Sequence, residues 1–443
     1  MTREKPTRRV LFVAYHFPPV GGAGVQRPTR MVRYLPEFGF QPLVITGPGE
    51  PRGRWTPRDE TLADDVPDAT DVVRLSGPEP HQEGSGERLQ RWLRIRSPWS
   101  SWWIEGVVAA GLRAASDTDL IYAWMQPYET AAAAARLSAQ LQKPWVADLG
   151  DPWAFDEMIA YPSRIHRRLE LRKMHALLGT AAAIVMSTDE AARRLVELFP
   201  DLRDRLVLSI PNGFDSGDFD RSLPPRDDDA FRIVHTGYLH TNLGQQYLRF
   251  KLARRILGGG DPAVDVLTRS HVYLLQAIDG LIRRRPELRG RIELHLAGVA
   301  SDADHQAAAG YESVRMHGYV SHERAVELMM TADLLFLPMH DLPAGRRATI
   351  VPGKTYEYLA SRTPILAAVP SGDARDLLKR AGNTMICSPR AVDCMRDAIS
   401  AAFDARHAGS AAPTPDEQLL RLYEYRHLAS RLAGLFDQVL GRP

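Results

Sequence analysis

Short apolar runs alternate with stretches of helical periodicity along the first half of the chain. Helical periodicity is found at 30–37, 107–115, 130–141, 164–178 and 189–198. The apolar runs that predict strands are 10–14, 41–46, 71–75, 120–124, 144–148, 183–187 and 206–210. Strands that alternate with helices form parallel sheets covered on both faces, so this half predicts a doubly wound α/β domain.

A second alternating series follows a break at Pro211-Asn212-Gly213 and a linker rich in Asp and Pro. Its predicted strands are 231–236, 292–297, 314–317, 334–338, 365–368 and 384–387, and its predicted helices are 270–285, 322–330, 355–361, 374–381 and 391–405. We therefore expect two domains, 1–216 and 217–414, with an amphipathic helix in 415–443 that packs back on the first. Two such domains predict a cleft between the carboxyl ends of their sheets, where ligands bind.

The segment 240–269 interrupts the second series after its first strand. It carries a basic run of helical character, Arg249 to Arg255, and then Gly258-Gly259-Gly260. The pattern is typical of an insertion, and both a mobile lid and a solvated hairpin remain open.

Composition excludes several classes of protein. The formal net charge of +2 over 443 residues provides no global basic field, which argues against a nucleic-acid partner. No apolar run approaches the roughly 20 residues that span a bilayer. Two cysteines, Cys387 and Cys394, are too few for a disulfide framework, so a reduced, cytoplasmic location is expected.

A peripheral membrane contact remains open. The segments that could provide it are the basic cluster at 164–173 and the tryptophan-rich segment 99–104.

The loop Gly21-Gly22-Ala23-Gly24 follows the first predicted strand and opens a helix. Glycines there let the backbone approach a ligand, and a helix N-terminus favours an anion. A dinucleotide fingerprint would need a third glycine where Arg27 stands, which argues against a nicotinamide cofactor. A tight turn without a ligand is the alternative. His16 immediately precedes the loop and is a candidate catalytic residue.

The segment Ala348 to Thr355 is similar to a Walker phosphate loop. It follows a polar loop rather than a strand, and Pro352 lacks the amide that such a loop uses to bind phosphate, so the match is taken as accidental.

The same residues predict a different site. Lys354 at a helix start can meet a diphosphate, and Glu357 one turn later can accept both hydroxyls of a ribose. Arg346 and Arg347 lie on the preceding loop. The sequence contains no clustered metal-ligand spacing and no GxSxG elbow, so we expect neither a metal nor a cofactor.

Several motifs in order give the chain a family resemblance. They are the glycine loop, PWVADLGDPW at 144–153, IPNGFD at 210–215, LHLAG at 294–298, MHGYV at 316–320, ADLLFLP at 332–338 and KTYEYLA at 354–360. Together they resemble GT-B fold glycosyltransferases, specifically the retaining family 4, over nearly the whole chain. The resemblance implies two Rossmann-like domains facing across a cleft, the first binding the acceptor and the second the nucleotide-sugar donor. It also implies a bacterial, metal-independent, hexosyltransferase-like enzyme of surface polysaccharide or natural product biosynthesis.

The resemblance and the local sequence patterns together give the candidate residues, and the aromatic ones are chosen because their rings can stack on a sugar or an aglycone. The donor-binding candidates are Gly22, Gly24, Gly237, His317, Gly318, Tyr319, Val320, Arg346, Arg347, Lys354, Thr355 and Glu357. The acceptor-side candidates are Trp124, Tyr128, Asp148 and Trp153, of which Asp148 could equally hold its turn. Asp151 joins His16 as a catalytic candidate.

Two departures from the family pattern matter. Thr349 stands where the first of two paired glutamates is expected, and Tyr238 and Leu243 stand where a basic phosphate clamp is expected. We expect Lys354, Arg346, Arg347 or the inserted basic run to replace that clamp. A non-catalytic nucleotide-sugar-binding protein and a sugar-nucleotide epimerase on the same fold are the alternative functions.

Overall fold

The chain folds into two compact units. Unit 1 comprises Met1–Asp156, Arg164–Gly213 and Tyr425–Pro443, and unit 2 comprises Glu157–Ser163 and Phe214–Glu424. The computed structural model describes residues 8–22, 24–50, 57–77, 92–93, 96–114, 117–224, 226 and 228–441.

Unit 1 is built on a parallel sheet of seven strands in the order β3-β2-β1-β4-β5-β6-β7. The strands are β1 (Arg8–Val13), β2 (Phe40–Thr46), β3 (Asp71–Arg74), β4 (Leu120–Trp124), β5 (Trp145–Leu149), β6 (Ala183–Met186) and β7 (Leu206–Ser209). The helices are α1 (Gln26–Tyr34), α2 (Pro98–Ala114), α3 (Thr130–Leu141), α4 (Arg164–Leu178) and α5 (Asp189–Leu198). Every residue of β4 and β5 is buried, as expected for parallel strands covered on both faces.

Unit 2 has a parallel sheet of six strands in the order β10-β9-β8-β11-β12-β13. The strands are β8 (Phe231–Thr236), β9 (Ile292–Ala297), β10 (Val314–Gly318), β11 (Leu334–Pro338), β12 (Ile365–Ala368) and β13 (Thr384–Cys387). The helices are α6 (Ser216–Phe219), α7 (Thr241–Arg249), α8 (Lys251–Leu257), α9 (Val272–Arg284), α10 (Asp302–Ala308), α11 (His322–Met330), α12 (Lys354–Ala360), α13 (Asp373–Ala381), α14 (Val392–His407) and α15 (Glu417–Arg421). The predicted doubly wound α/β architecture is confirmed in both units.

The amphipathic stretch near the C-terminus is two helices rather than one. Helix α15 buries Leu419 and Leu420 in the core of unit 2, whereas α16 (Tyr425–Val439) buries Leu428 and Leu432 in the core of unit 1. The helical periodicity continues across the break, and for that reason the sequence predicted a single element.

The inserted segment is also more ordered than a solvated hairpin. It forms α7 and α8, and its glycine turn packs against Glu157–Ser163, where the Tyr161 amide donates to the Gly259 carbonyl at 2.9 Å. A Cβ at Gly259 would lie 1.8 Å from the Tyr161 carbonyl oxygen, so only glycine fits there.

The two cysteines are joined to each other in this structure, whereas a reduced environment was expected from their low number. Cys387 at the end of β13 and Cys394 in the first turn of α14 form a disulfide, with their Cα atoms 5.9 Å apart. The short connection between strand and helix brings the two residues within bridging distance. Separately, none of the helices in the described residues has the length and apolar character needed to cross a membrane.

Candidate functional site

The candidate site of unit 2 lies at the carboxyl edge of its sheet, where the strand order reverses between β8 and β11. Gly237 directly follows β8, and His340 follows β11 after Met339. Open α/β sheets bind ligands in the crevice at this position. Gly237 has a φ of +92°, and its amide donates to the Ala297 carbonyl of the neighbouring strand at 2.6 Å.

Lys354 is the central cation of this site. It is the first residue of α12, and its Nζ lies 3.0 Å from Nε2 of His235 in β8. His235 Nδ1 lies 2.9 Å from the Phe336 carbonyl, to which it donates, so its Nε2 accepts from the lysine. Burial lowers the pKa of Lys354 to about 7, Arg269 adds to that shift and Glu357 opposes it. Lys354 forms no ion pair with a carboxylate within the described part of the chain.

The glycine at 237 leaves room for this lysine. A Cβ at Gly237 would lie 2.9 Å from Lys354 Nζ and 3.2 Å from its Cε. The positive φ and this close approach both favour glycine here.

Arg269 is a second cation of this site, and sequence reasoning did not single it out. It ends the inserted segment just before α9, and its positive charge contributes to lowering the pKa of Lys354, His235 and His340. Its Nη1 lies 3.3 Å from Met158 Sδ. The insertion therefore carries a basic residue whose charge reaches Lys354, and its main-chain carbonyl accepts from the His240 amide at 2.9 Å.

Glu357 lies one turn along α12 from Lys354. Its Oε1 is 3.7 Å from His322 Nδ1, and His322 Nε2 is 3.0 Å from Asp218 Oδ2. Glu357 Oε1 is buried and has no hydrogen-bond partner in the described residues. A buried carboxylate oxygen that lacks a hydrogen-bond donor is suited to accept a hydrogen bond from a hydroxyl of a ligand.

Arg346 and Arg347 are engaged with carboxylates. Arg346 pairs with Asp261, and Arg347 Nη2 lies 3.0 Å from Asp373 and 2.8 Å from Asp376. Their charge is therefore compensated within unit 2, which argues against their predicted role in binding phosphate. Thr355 is fully buried, and its hydroxyl has no partner in the described residues.

The remaining donor candidates of unit 2 lie at the end of the edge strand β10. His317 Nε2 is 2.9 Å from His295 Nδ1, and the Gly318 carbonyl accepts from the Gly298 amide at 2.7 Å. Tyr319 is 36% exposed and Val320 is half-buried. This turn shares the carboxyl edge of the sheet with Gly237.

Unit 1 brings a separate group together at its own switch point, between β1 and β4. His16 and Gly24 lie on the loop after β1, in which Gly22 has a φ of +104° and Ala23 lies outside the described residues. A Cβ at Gly24 would lie 2.7 Å from Oε1 of Gln126, which follows β4, and 3.6 Å from His16 Cδ2. Gln126 Nε2 donates to Asp151 Oδ2 at 2.9 Å, and sequence reasoning missed this glutamine.

His16 is neutral at pH 7. Burial lowers its pKa to about 4, and its Nδ1 is buried without a hydrogen-bond partner in the described residues. A neutral imidazole can accept a proton or a hydrogen bond, as a catalytic base requires.

Asp148 forms a buried ion pair with Arg27. It is fully buried, and its Oδ2 accepts from Arg27 Nη2 at 2.8 Å, from Arg27 Nε at 2.9 Å and from the Tyr122 hydroxyl. Burial raises the pKa of Asp148, and Arg27 opposes that shift. Because this carboxylate is enclosed and paired, the structure favours the alternative that it holds its turn.

The aromatic acceptor candidates are mostly core residues. Trp124 is buried and donates to the Gly24 carbonyl at 3.0 Å. Trp153 is also buried, stacks on Tyr128 at 4.9 Å and donates to Glu170 at 3.0 Å. Tyr128 alone of the three is half-buried, so it retains a surface for a ligand. In the described residues, no three His, Cys, Asp or Glu side chains converge as metal ligands.

Solved structures share this architecture over their whole length. HepE of Anabaena in complex with UDP-glucose matches with a TM-score of 0.59 at 18% identity, covering 97% of this chain and 99% of that one. Sucrose-phosphate synthase of Thermosynechococcus elongatus matches with a TM-score of 0.61 at 13% identity, covering 98% and 99%. The chain has the GT-B fold. A Listeria monocytogenes protein assigned as a UDP-N-acetylglucosamine 2-epimerase matches at 0.54 and 13% identity, covering 99% of both chains. The sequence matches no protein-family model and no curated protein.

Proposed function

We propose that the protein is a glycosyltransferase that moves a sugar from a nucleotide-diphosphate sugar to an acceptor, without a metal and with retention of configuration. The observation that carries the proposal is Lys354, a buried cation that no carboxylate pairs in the described residues and that lies beside Arg269. A buried cation without a counter-ion is costly, so Lys354 is suited to bind an anionic ligand such as a diphosphate, and the positive charge of Arg269 adds to that attraction.

The donor occupies unit 2 in this proposal. Lys354 and Arg269 hold the diphosphate, and the buried Oε1 of Glu357 accepts the ribose hydroxyls. The main chain of Gly318 and Val320 contacts the nucleobase. As the bond to the sugar breaks, negative charge grows on the leaving diphosphate, and fixed cations stabilise that charge without reorganisation.

The acceptor contacts residues of unit 1. The neutral imidazole of His16 accepts a hydrogen bond from a second, non-reacting hydroxyl of the acceptor, and Gln126 and Asp151 fix the neighbouring loop. An oxygen of the departing diphosphate takes the acceptor proton. The acceptor classes that fit this assignment are a surface glycan or lipid-linked sugar and a specialised-metabolite aglycone.

Calorimetric titration with UDP, GDP, ADP, dTDP and CDP tests the donor site. We expect one diphosphate to bind, and we expect Lys354→Met and Arg269→Met each to weaken that binding by about tenfold or more. Arg347→Met is the matched control, because it removes a cation that carboxylates already pair. Absence of binding by every diphosphate, or equal loss in all three variants, would contradict the donor site.

Turnover separates transfer from the alternatives. The Listeria neighbour favours the epimerase as a second candidate. An epimerase converts the sugar nucleotide with no acceptor present, a non-catalytic protein binds it unchanged, and a transferase releases diphosphate only when an acceptor is added.

A further inference from the structure

The inserted helices α7 and α8 carry a concentration of exposed apolar side chains. These side chains are between 51% and 73% exposed, and they are Leu248, Phe250, Leu252, Ile256 and Leu257. Leu252 and Ile256 lie four positions apart, on one face of α8. No residue of α8 is buried.

The opposite side of α7 and α8 packs against the rest of unit 2. The Tyr247 hydroxyl donates to the Met158 carbonyl, and the guanidinium of Arg254 stacks on the Tyr247 ring at 3.6 Å. Arg254 also donates to the Asp261 carbonyl at 3.0 Å. At the start of the insertion, a Cβ at Gly244 would lie 2.4 Å from Leu267 Cα. The apolar face is therefore presented outward by an anchored element.

Positive charge lies beside this face. Arg249, Lys251 and Arg255 are exposed, and none of the three forms an ion pair in the described residues. The sequence from Thr241 to Gly260 contains no Asp and no Glu. Lys251 and Arg255 are four positions apart, so they flank the face formed by Leu252 and Ile256.

We propose that the face formed by 248–257 binds the surface of an anionic lipid bilayer. Apolar side chains enter the boundary between headgroups and acyl chains, while the flanking cations meet lipid phosphates. Nucleic acid would engage the cations and leave the aliphatic side chains exposed to water, so a bilayer accounts for both features. This inference is independent of the proposed transfer reaction.

Co-sedimentation of the full chain tests the proposal, with phosphatidylcholine vesicles that contain or lack about one third phosphatidylglycerol. We expect binding to the anionic vesicles that weakens as salt is raised. The double variant Lys251→Gln/Arg255→Gln should lower the partition coefficient by roughly tenfold or more. Leu252→Ser/Ile256→Ser should lower it at low salt and at high salt alike, because it removes the apolar contribution.

Leu198→Ser is the matched control, because Leu198 is also an exposed leucine, at 45%, but lies at the end of α5 in unit 1, outside the basic cluster 164–173. It should bind vesicles as the unchanged protein does. Sedimentation velocity and thermal unfolding show whether each variant is folded and whether its assembly has changed. Failure of the unchanged protein to bind anionic vesicles would overturn the proposal. So would a Leu252→Ser/Ile256→Ser variant that binds vesicles normally but loses self-association, because the face would then join copies of the chain.

Discussion

Glu157 holds Thr349 by two hydrogen bonds across 192 positions of sequence. Its Oε1 accepts from the Thr349 amide at 3.1 Å, and its Oε2 accepts from the Thr349 hydroxyl at 2.6 Å. Glu157 and Thr349 are both buried. The loop that leads into Lys354 is therefore fixed by a carboxylate from Glu157–Ser163, the segment that belongs to unit 2 although it interrupts unit 1.

Removal of the Thr349 hydroxyl should destabilise the fold. Thr349→Val keeps the shape of the side chain but removes the hydroxyl that donates to Oε2 of the buried Glu157 carboxylate. We expect the free energy of unfolding to fall by about 1–3 kcal/mol, measured by urea denaturation.

Thr331→Val is the control for that substitution. The Thr331 hydroxyl donates at 2.7 Å to the Glu327 carbonyl of its own helix, a neutral and partly exposed acceptor. We expect this variant to lose less than about 1 kcal/mol. Equal losses in the two variants would show that the hydrogen bond from Thr349 to the buried Glu157 carboxylate stabilises the fold no more than a hydrogen bond to a main-chain carbonyl does.

Gly237→Ala should disturb the site more than an alanine at another glycine with a positive φ. Gly237 and Gly290 have φ angles of +92° and +77°, but only at Gly237 would the new Cβ meet Lys354 Nζ, at 2.9 Å. Both variants should lose about 1–2 kcal/mol of stability from the backbone. Calorimetry should show weaker diphosphate binding for Gly237→Ala alone, and unchanged binding in both would mean that Lys354 does not contact the ligand.

The sheets could be predicted from sequence because each buried parallel strand is a continuous apolar run. The run 120–124 is β4 to the residue, and 231–236 is β8. Lys354 and Glu357 could be singled out from the sequence as candidates because a helix start and a one-turn spacing are local signals. Glu157 and Arg269 were missed because their partners are distant in sequence and only the tertiary fold brings them together.

Asp148 shows a second limit of sequence reasoning. An acid at the end of a strand has the same local pattern whether it faces a ligand or the core. One feature of the sequence could have indicated that Asp148 faces the core. Arg27 stands where a dinucleotide fingerprint has glycine, and an arginine buried at that position needs a carboxylate partner. Helix α2 also begins earlier than predicted, at Pro98 rather than at 107. Its first turns bury Trp103 and Ile104 through tertiary contacts that the local sequence does not show.

Lys354→Met should stabilise the unliganded protein although it weakens diphosphate binding by about tenfold or more. The folded-state pKa of Lys354 is about 7, below the value of about 10.4 in an unfolded chain. The unfolded chain therefore binds more protons between these two values, and the stability of the unchanged protein rises with pH across that window. Below pH 7 the cost of burying the charge is fully present.

The gain from Lys354→Met is consequently largest below pH 7. We expect about 2 kcal/mol at pH 6, declining toward pH 10, from thermal unfolding at several pH values. A variant that is less stable than the unchanged protein at pH 6 would show that burial of the charged lysine does not destabilise the folded protein.

Diphosphate affinity should fall as the pH rises above 7. Binding favours the charged lysine, so Kd should weaken by up to roughly tenfold per pH unit between about pH 7.5 and 9. Over this range the terminal phosphate is already ionised and His235, whose pKa burial lowers, is neutral. Lys354→Arg is the matched control, because arginine stays protonated throughout and should give a flat titration curve. A slope shared by both proteins would place the titrating group elsewhere.

Arg27→Met should be among the more damaging substitutions in unit 1. Among the described residues it leaves the fully buried Asp148 carboxylate with the Tyr122 hydroxyl as its one side-chain donor, and it removes the 2.6 Å hydrogen bond from Arg27 Nη1 to the Pro211 carbonyl. Loss of one partner of a buried ion pair costs about 3–5 kcal/mol.

The double variant Arg27→Met/Asp148→Leu distinguishes a structural pair from a ligand contact. With both charges removed, apolar side chains can fill the space, and we expect at least half of the lost stability to return. Acceptor KM should be unchanged in this double variant if Asp148 only holds the end of β5. Recovered stability together with a KM raised by about tenfold or more would instead show that Asp148 supports acceptor binding.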